Sequence, residues 1–181
     1  MKGDQYQIKK ATEEIGATLS KEKSKDFQNV AAKVVQGGMM PKDMMGLSDA
    51  MVEGIYGQAY RLYNTGKYKD ASQLFRLLIM LNSTEPKYAM GLAACFHMLK
   101  EYKNAVSTYA ICGVIDPENP VPHYHASDCY IHMNDPVSAL IALEMAVKRA
   151  GDKTEYQTLR DRALLTIDSL KKEIAKIKKT A

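Results

Sequence analysis

The stretch KYAMGLAACFHMLKEYKNAVSTYAICGVIDP, residues Lys87 to Pro117, decides the fold. It holds Ala89, Leu92, Ala93 and Phe96 at helical spacing, then Ala105 and Tyr109, then Asp116-Pro117. Apolar residues three and four apart share one face of a helix. Small Ala93 and Ala105 let two antiparallel helices approach closely, and Phe96 and Tyr109 fill the space around that contact. Pro117 cannot extend the second helix and forces a turn. One such pair cannot bury its own apolar faces, so it needs neighbours on both sides.

Those neighbours stand at a shift of 34 residues. Ala71, Ala105 and Ala139 are in register, as are Ala59, Ala93 and Ser127; Leu62, Phe96 and Tyr130; and Phe75, Tyr109 and Leu143. Tyr68, Tyr102 and Pro136 complete the register at the start of each second helix. This is the period and residue pattern of a tetratricopeptide (TPR) repeat. The outer repeats match less well: Gln58 replaces the usual Leu, and Ser83 and Gly151 stand where Pro117 would be. The sequence predicts an all-α TPR solenoid with three tandem helix-turn-helix repeats, at about 52–85, 86–119 and 120–153. An N-terminal helical region, 1–47, precedes the repeat block of 48–152. A long C-terminal capping helix with a basic tail, 153–181, follows it.

Bulk properties narrow the classes. A chain of 181 residues with 46% apolar residues can bury a core. A net charge of +4 is too small to imply nucleic acid. The start, Met1-Lys2-Gly3-Asp4-Gln5-Tyr6, has no apolar run after its Lys and does not read as a signal peptide. The longest apolar run, Leu74 to Leu81, is broken by Arg76 and too short to span a bilayer. Three cysteines without a disulfide pattern favour a reduced cytosolic protein.

Ile8, Ala11, Ile15 and Leu19 predict a weak amphipathic helix over 5–19. Phe27, Val30, Ala31, Val34 and Val35 predict a second, ending at Gly37-Gly38. Met39-Met40-Pro41 and Met44-Met45-Gly46 form an adaptable apolar connection, open to packing under the first repeat or to contact with another subunit. Ser48 is the expected N-cap of the first repeat helix, and Asp135 with Pro136 that of the last. After Gly151, Leu164, Ile167, Leu170, Ile174 and Ile177 form a stripe able to cover the end of the solenoid. Lys171, Lys172, Lys176, Lys178 and Lys179 read as a solvated face near a helix C-terminus, where the dipole favours cations. No aromatics alternate with them, as binding of single-stranded nucleic acid requires.

The first helix of repeat one has more apolar surface than its mate can cover. Ile55, Ala59 and Leu62 face the second helix, while Tyr56, Tyr60 and Tyr63 form another stripe. In a TPR stack that stripe faces the concave surface. The matching residues are Met90, Ala94 and His97 in repeat two, and Tyr124, Asp128 and Ile131 in repeat three. The expected groove is apolar and aromatic, with few charges. Tyr gives large contact area with a polar tip and few torsions to freeze. The competing reading packs the three tyrosines on the N-terminal helices. Pairing a terminal carboxylate needs Lys, Asn or Arg donors, but those inner positions hold Tyr56, Tyr60, Gly91, Val121 and His125. An apolar, extended ligand is expected instead.

Cys129 and His132 could place two metal ligands on one helical face. However, Cys95, Cys112 and Cys129 sit 17 apart at equivalent packing positions, and they read as buried structural residues. No phosphate loop, nucleophile elbow or paired-carboxylate motif appears. No catalytic set, metal or cofactor is expected; Asp128 with His97 or His132 is the one titratable grouping.

The wording inside the repeats resembles a known family. Ile55-Tyr56-Gly57-Gln58-Ala59-Tyr60-Arg61-Leu62-Tyr63-Asn64-Thr65-Gly66-Lys67-Tyr68-Lys69-Asp70-Ala71 is similar to the first repeat of class II type III secretion chaperones, the chaperones of bacterial translocator proteins. Tyr88 to Cys95 and Pro122 to Cys129 resemble its second and third repeats, and the likeness covers roughly 36–172. The resemblance implies a chaperone in the bacterial cytoplasm that holds hydrophobic translocators before export; no nucleic-acid partner and no direct membrane insertion are expected. Its groove would take an extended segment near the translocator's N-terminus. The family's groove aromatics carry over onto Tyr56, Tyr60 and Tyr63, and its second-repeat contacts onto Met90 and Ala94. Homodimers would form through the N-terminal region. The alternative is a general TPR scaffold in another multiprotein assembly.

Overall fold

The computed structural model describes residues 41–180, with side chains as far as Lys176. The helices expected over 5–19 and in the run to Gly37-Gly38, together with Met39, Met40 and the Ile177 side chain, lie outside the described residues. The chain divides into two units, 1–52 and 53–181. In the first, the short helix α1 (Pro41–Met44) ends at Gly46, whose φ of +67° is the left-handed conformation glycine tolerates. Met44 and Met45 are exposed. The Ser48 hydroxyl accepts the Met51 N–H at 3.3 Å, capping the start of α2 (Asp49–Asn64).

The second unit carries α2 onward to α3 (Tyr68–Leu81), α4 (Pro86–Met98), α5 (Tyr102–Ile115), α6 (Val121–His132) and α7 (Pro136–Ala150). A 3₁₀ turn at Thr154–Tyr156 leads into α8 (Gln157–Thr180). From α3 to α8, each helix packs on the next.

The turn inside each repeat has one design. Gly66, Lys100 and Asn134, in register, all take positive φ, at 78°, 61° and 56°. At each turn, the N–H of this residue and that of its successor bond back to the last carbonyls of the preceding helix. Gly66 and Lys67 bond to Tyr63 and Leu62; Lys100 and Glu101 to His97 and Phe96; Asn134 and Asp135 to Ile131 and Tyr130. Glycine and asparagine adopt this conformation at little cost, whereas lysine is strained in it.

Small residues set the helix separation. Ala59, Ala71, Ala93, Ala105 and Ala139 are all wholly buried, and Phe75, Leu78, Tyr109 and Leu143 fill the gaps. Gly91 makes room for Phe75: a Cβ there would sit 2.3 Å from the ring. At α7, Asp135 accepts the Ser138 N–H at 3.0 Å, with Pro136 in the first turn. Helix α8 lays Ala163, Ile167 and Leu170 against Ala139 and Leu143. Leu164, expected in that stripe, is exposed; Ala163 takes its place because a small residue lets α8 lie closer. No described helix is long and apolar enough to cross a membrane.

Candidate functional site

The first helices of the repeats, α2, α4 and α6, line one face of the second unit. Each turns one side to its partner helix and another outward. Ala59, Ala93, Cys95 and Cys129 on these helices are buried. Tyr56, Tyr60, Tyr63, Met90, Ala94, His97, Tyr124, Asp128 and Ile131 all retain exposed surface. On the repeat-one helix Ala59 is buried and Tyr60 exposed, while Ile55 and Leu62 of one stripe and Tyr56 and Tyr63 of the other are each partly buried.

The repeat-one part of this face is phenolic. Tyr60 is 54% exposed and stacks on Tyr56, with ring centroids 6.3 Å apart. Tyr56 reaches deeper: its ring meets Phe75 edge-on at 6.2 Å and Tyr88 at 5.8 Å. Lys87 Nζ lies 4.5 Å from the Tyr56 centroid, a cation–π contact, and pairs with Glu53 at 2.8 Å. The Glu53 hydrogen bond is the main cause that raises the Lys87 pKa. Tyr63 packs edge-on to Tyr68 at 5.3 Å, and its phenol is pushed up, mainly by burial.

The junction of repeats two and three differs. His97 Nε2 lies 2.9 Å from Asp128 Oδ2, and His132 Nε2 lies 3.8 Å from the same oxygen. The His132 ring stacks flat on Tyr102, at 4.8 Å and 6°. His125 stacks on Tyr109 at 5.7 Å; burial, with His97 nearby, lowers its pKa and favours the neutral ring. The expected groove of few charges thus has a carboxylate and three imidazoles at its centre. The sequence placed His97, Asp128 and His125 on this face and grouped Asp128 with His97 or His132, but it gave Tyr102 no place there. The 34-residue register does carry a signal: it makes His97 the equivalent of Ile131 and Tyr102 the equivalent of Tyr68. Beyond the junction, Tyr124, His125, Asp128, Ile131 and Thr166 line an open cleft of about 270 Å³ reaching α8.

Comparison with known proteins agrees with this architecture. The tetratricopeptide repeat family model matches residues 52–83 and 86–119. The type III secretion translocator chaperone SycD of Yersinia enterocolitica, solved with a peptide of the translocator YopD, superposes with a TM-score of 0.67 at 27% identity. That match covers 70% of this chain and 96% of SycD. An alternative dimer of SycD gives a TM-score of 0.66, also at 27% identity, over 70% of this chain and 96% of that one. The chaperone protein SicA of Salmonella typhimurium is 30% identical over 137 residues, 76% of this chain and 81% of SicA. The chain belongs to the type III secretion translocator chaperones.

In this translocator chaperone the three cysteines are buried and free. Burial pushes the thiols of Cys95 and Cys112 up to about 12, and that of Cys129 to about 11. Cys129 therefore does not join His132 at the surface. His123 packs its ring against Gly113, where a Cβ would come 3.0 Å from Nε2. Burial is also the main cause that lowers the His123 pKa. The basic C-terminal segment is partly neutralised, since Lys171 pairs with Glu144 at 3.1 Å.

Proposed function

We propose that this chaperone holds hydrophobic translocator proteins in the bacterial cytoplasm by taking an extended apolar segment of each into the groove of α2, α4 and α6. The observation that carries this reading is the surplus aromatic surface of α2, where Tyr60 is half exposed and fixed by stacking on Tyr56. A translocator has to enter a membrane later, so its apolar segments aggregate in water unless held. Rigid phenol rings capture such side chains at low entropic cost. Tyr56, Tyr60 and Tyr63 act as anchors, Met90 and Ala94 as the adaptable floor. His97, Tyr124, Asp128 and Ile131 form the far end. The YopD peptide on SycD supports this mode for a relative of similar fold. The dimer of SycD supports a homodimer here, and the N-terminal region is the part we assign to it. The activity is binding alone, with no bond made or broken in the partner.

The test is titration of the chaperone with a translocator's N-terminal segment. Tyr60→Ala should weaken the complex by about 2 kcal/mol, about 30-fold, the scale of an interface anchor. The unfolding midpoint should barely move, because Tyr60 lies outside the helix-pair core. Equal binding by both proteins would remove the groove assignment.

A further inference from the structure

We infer that His97, Asp128 and His132 form a binding site for one divalent transition-metal ion of the zinc class, clamping α4 to α6. Their ligand atoms, two imidazole nitrogens and a carboxylate oxygen, all lie within 4.8 Å of one another. Both imidazole Nε2 atoms point at one oxygen, Asp128 Oδ2, at 2.9 and 3.8 Å. An ion bound at about 2.0–2.2 Å to N and O ligands holds its donors roughly 3.3 Å apart in a tetrahedron. The two separations to Asp128 bracket that value, no pair of donors is more than 4.8 Å apart, and His132 and Asp128 are each half exposed and can adjust.

The rings are already aimed. Asp128 and His132 are one helical turn apart on α6, so they share a face. His132 is held flat on Tyr102, and His97 is wedged edge-on between Tyr102 at 6.0 Å and Tyr109 at 6.4 Å. Outer contacts that fix imidazole orientation are what a metal site needs beyond its ligands. Two imidazoles and one carboxylate suit zinc, cobalt, nickel or copper, while magnesium and calcium want oxygen ligands. Three protein ligands leave a fourth position open to solvent on the groove side. The ligands come from successive repeats, so the ion ties repeat two to repeat three and fixes the spacing of their first helices.

The test uses the full-length, untagged, metal-stripped chain and zinc alone, so it does not depend on any translocator. Calorimetry should show one zinc per chain, and Asp128→Asn and His132→Gln should each weaken uptake at least tenfold. Zinc should raise the unfolding midpoint of the wild type by several degrees and leave both variants unmoved, with circular dichroism showing that the variants keep their helices. Cobalt should give visible ligand-field bands without thiolate charge-transfer absorption. No uptake, uptake unchanged in both variants, or a thiolate signature would each overturn the site.

Discussion

The phenolic and imidazole ends of the groove are built on the same repeat frame, yet they differ in kind. Around Tyr56, Tyr60 and Tyr63 the surface is aromatic, and Lys87 beside it is engaged by Glu53 and the Tyr56 ring. Around His97, Asp128 and His132 the surface is a polar cluster in which His132 stacks on Tyr102 and His97 meets Tyr109 edge-on. A repeat thus specifies where a side chain stands and leaves its chemistry free. Under the proposed function the first end grips by burial of apolar area and the second by directional contacts to charge.

The largest expected effect falls beneath the phenolic end. Phe75 is buried under Tyr56 and over Gly91. Phe75→Ala should cost about 3–5 kcal/mol in denaturant unfolding, the range for emptying an aromatic core site. If the loss is under 1 kcal/mol, the phenolic end does not rest on that ring. Next comes the anchor itself. The loss of about 2 kcal/mol in segment binding on Tyr60→Ala should exceed that of Ile131→Ala at the far end. The reverse order would transfer the main grip to repeat three.

Two smaller changes should leave both ends intact and so test whether they are separable from the frame. Lys100 holds a positive φ that its counterparts Gly66 and Asn134 accept more easily. Lys100→Gly should therefore stabilise the fold by about 0.5–1 kcal/mol, with segment binding unchanged. Asp135→Ala should cost about 1 kcal/mol at neutral pH by removing the cap on α7. Its side-chain hydrogen bond with Ser138 holds the Asp135 carboxyl below its ordinary value. A depressed native pKa gives stability that is full above the unfolded-chain value, near about 3.9, and lost as pH falls through the native one. The gap between wild type and Asp135→Ala should then close in acid below about pH 4. A gap that persists there would assign the loss to packing.

The fold was legible because its determinants recur. Ala71, Ala105 and Ala139 announce the period, and each is buried where that period puts it. The phenolic end was legible for a local reason: three tyrosines on one helix show a second stripe without knowledge of any other helix. The imidazole end was legible only as a grouping of Asp128 with His97 or His132; the convergence of both rings on one carboxylate oxygen and their contacts with Tyr102 and Tyr109 appear only once α4, α5 and α6 are laid side by side. Leu164 misled for a related reason. Periodicity finds the larger apolar residue, while the close approach of α8 to α7 selects Ala163.

The concealment of Cys95, Cys112 and Cys129, with thiols held at about 12, 12 and 11, makes the folded protein silent toward alkylating dyes at neutral pH. A single cysteine placed on the exposed face would be the one fast-reacting handle, so a fluorophore could report from a chosen spot without first stripping the native sulfurs.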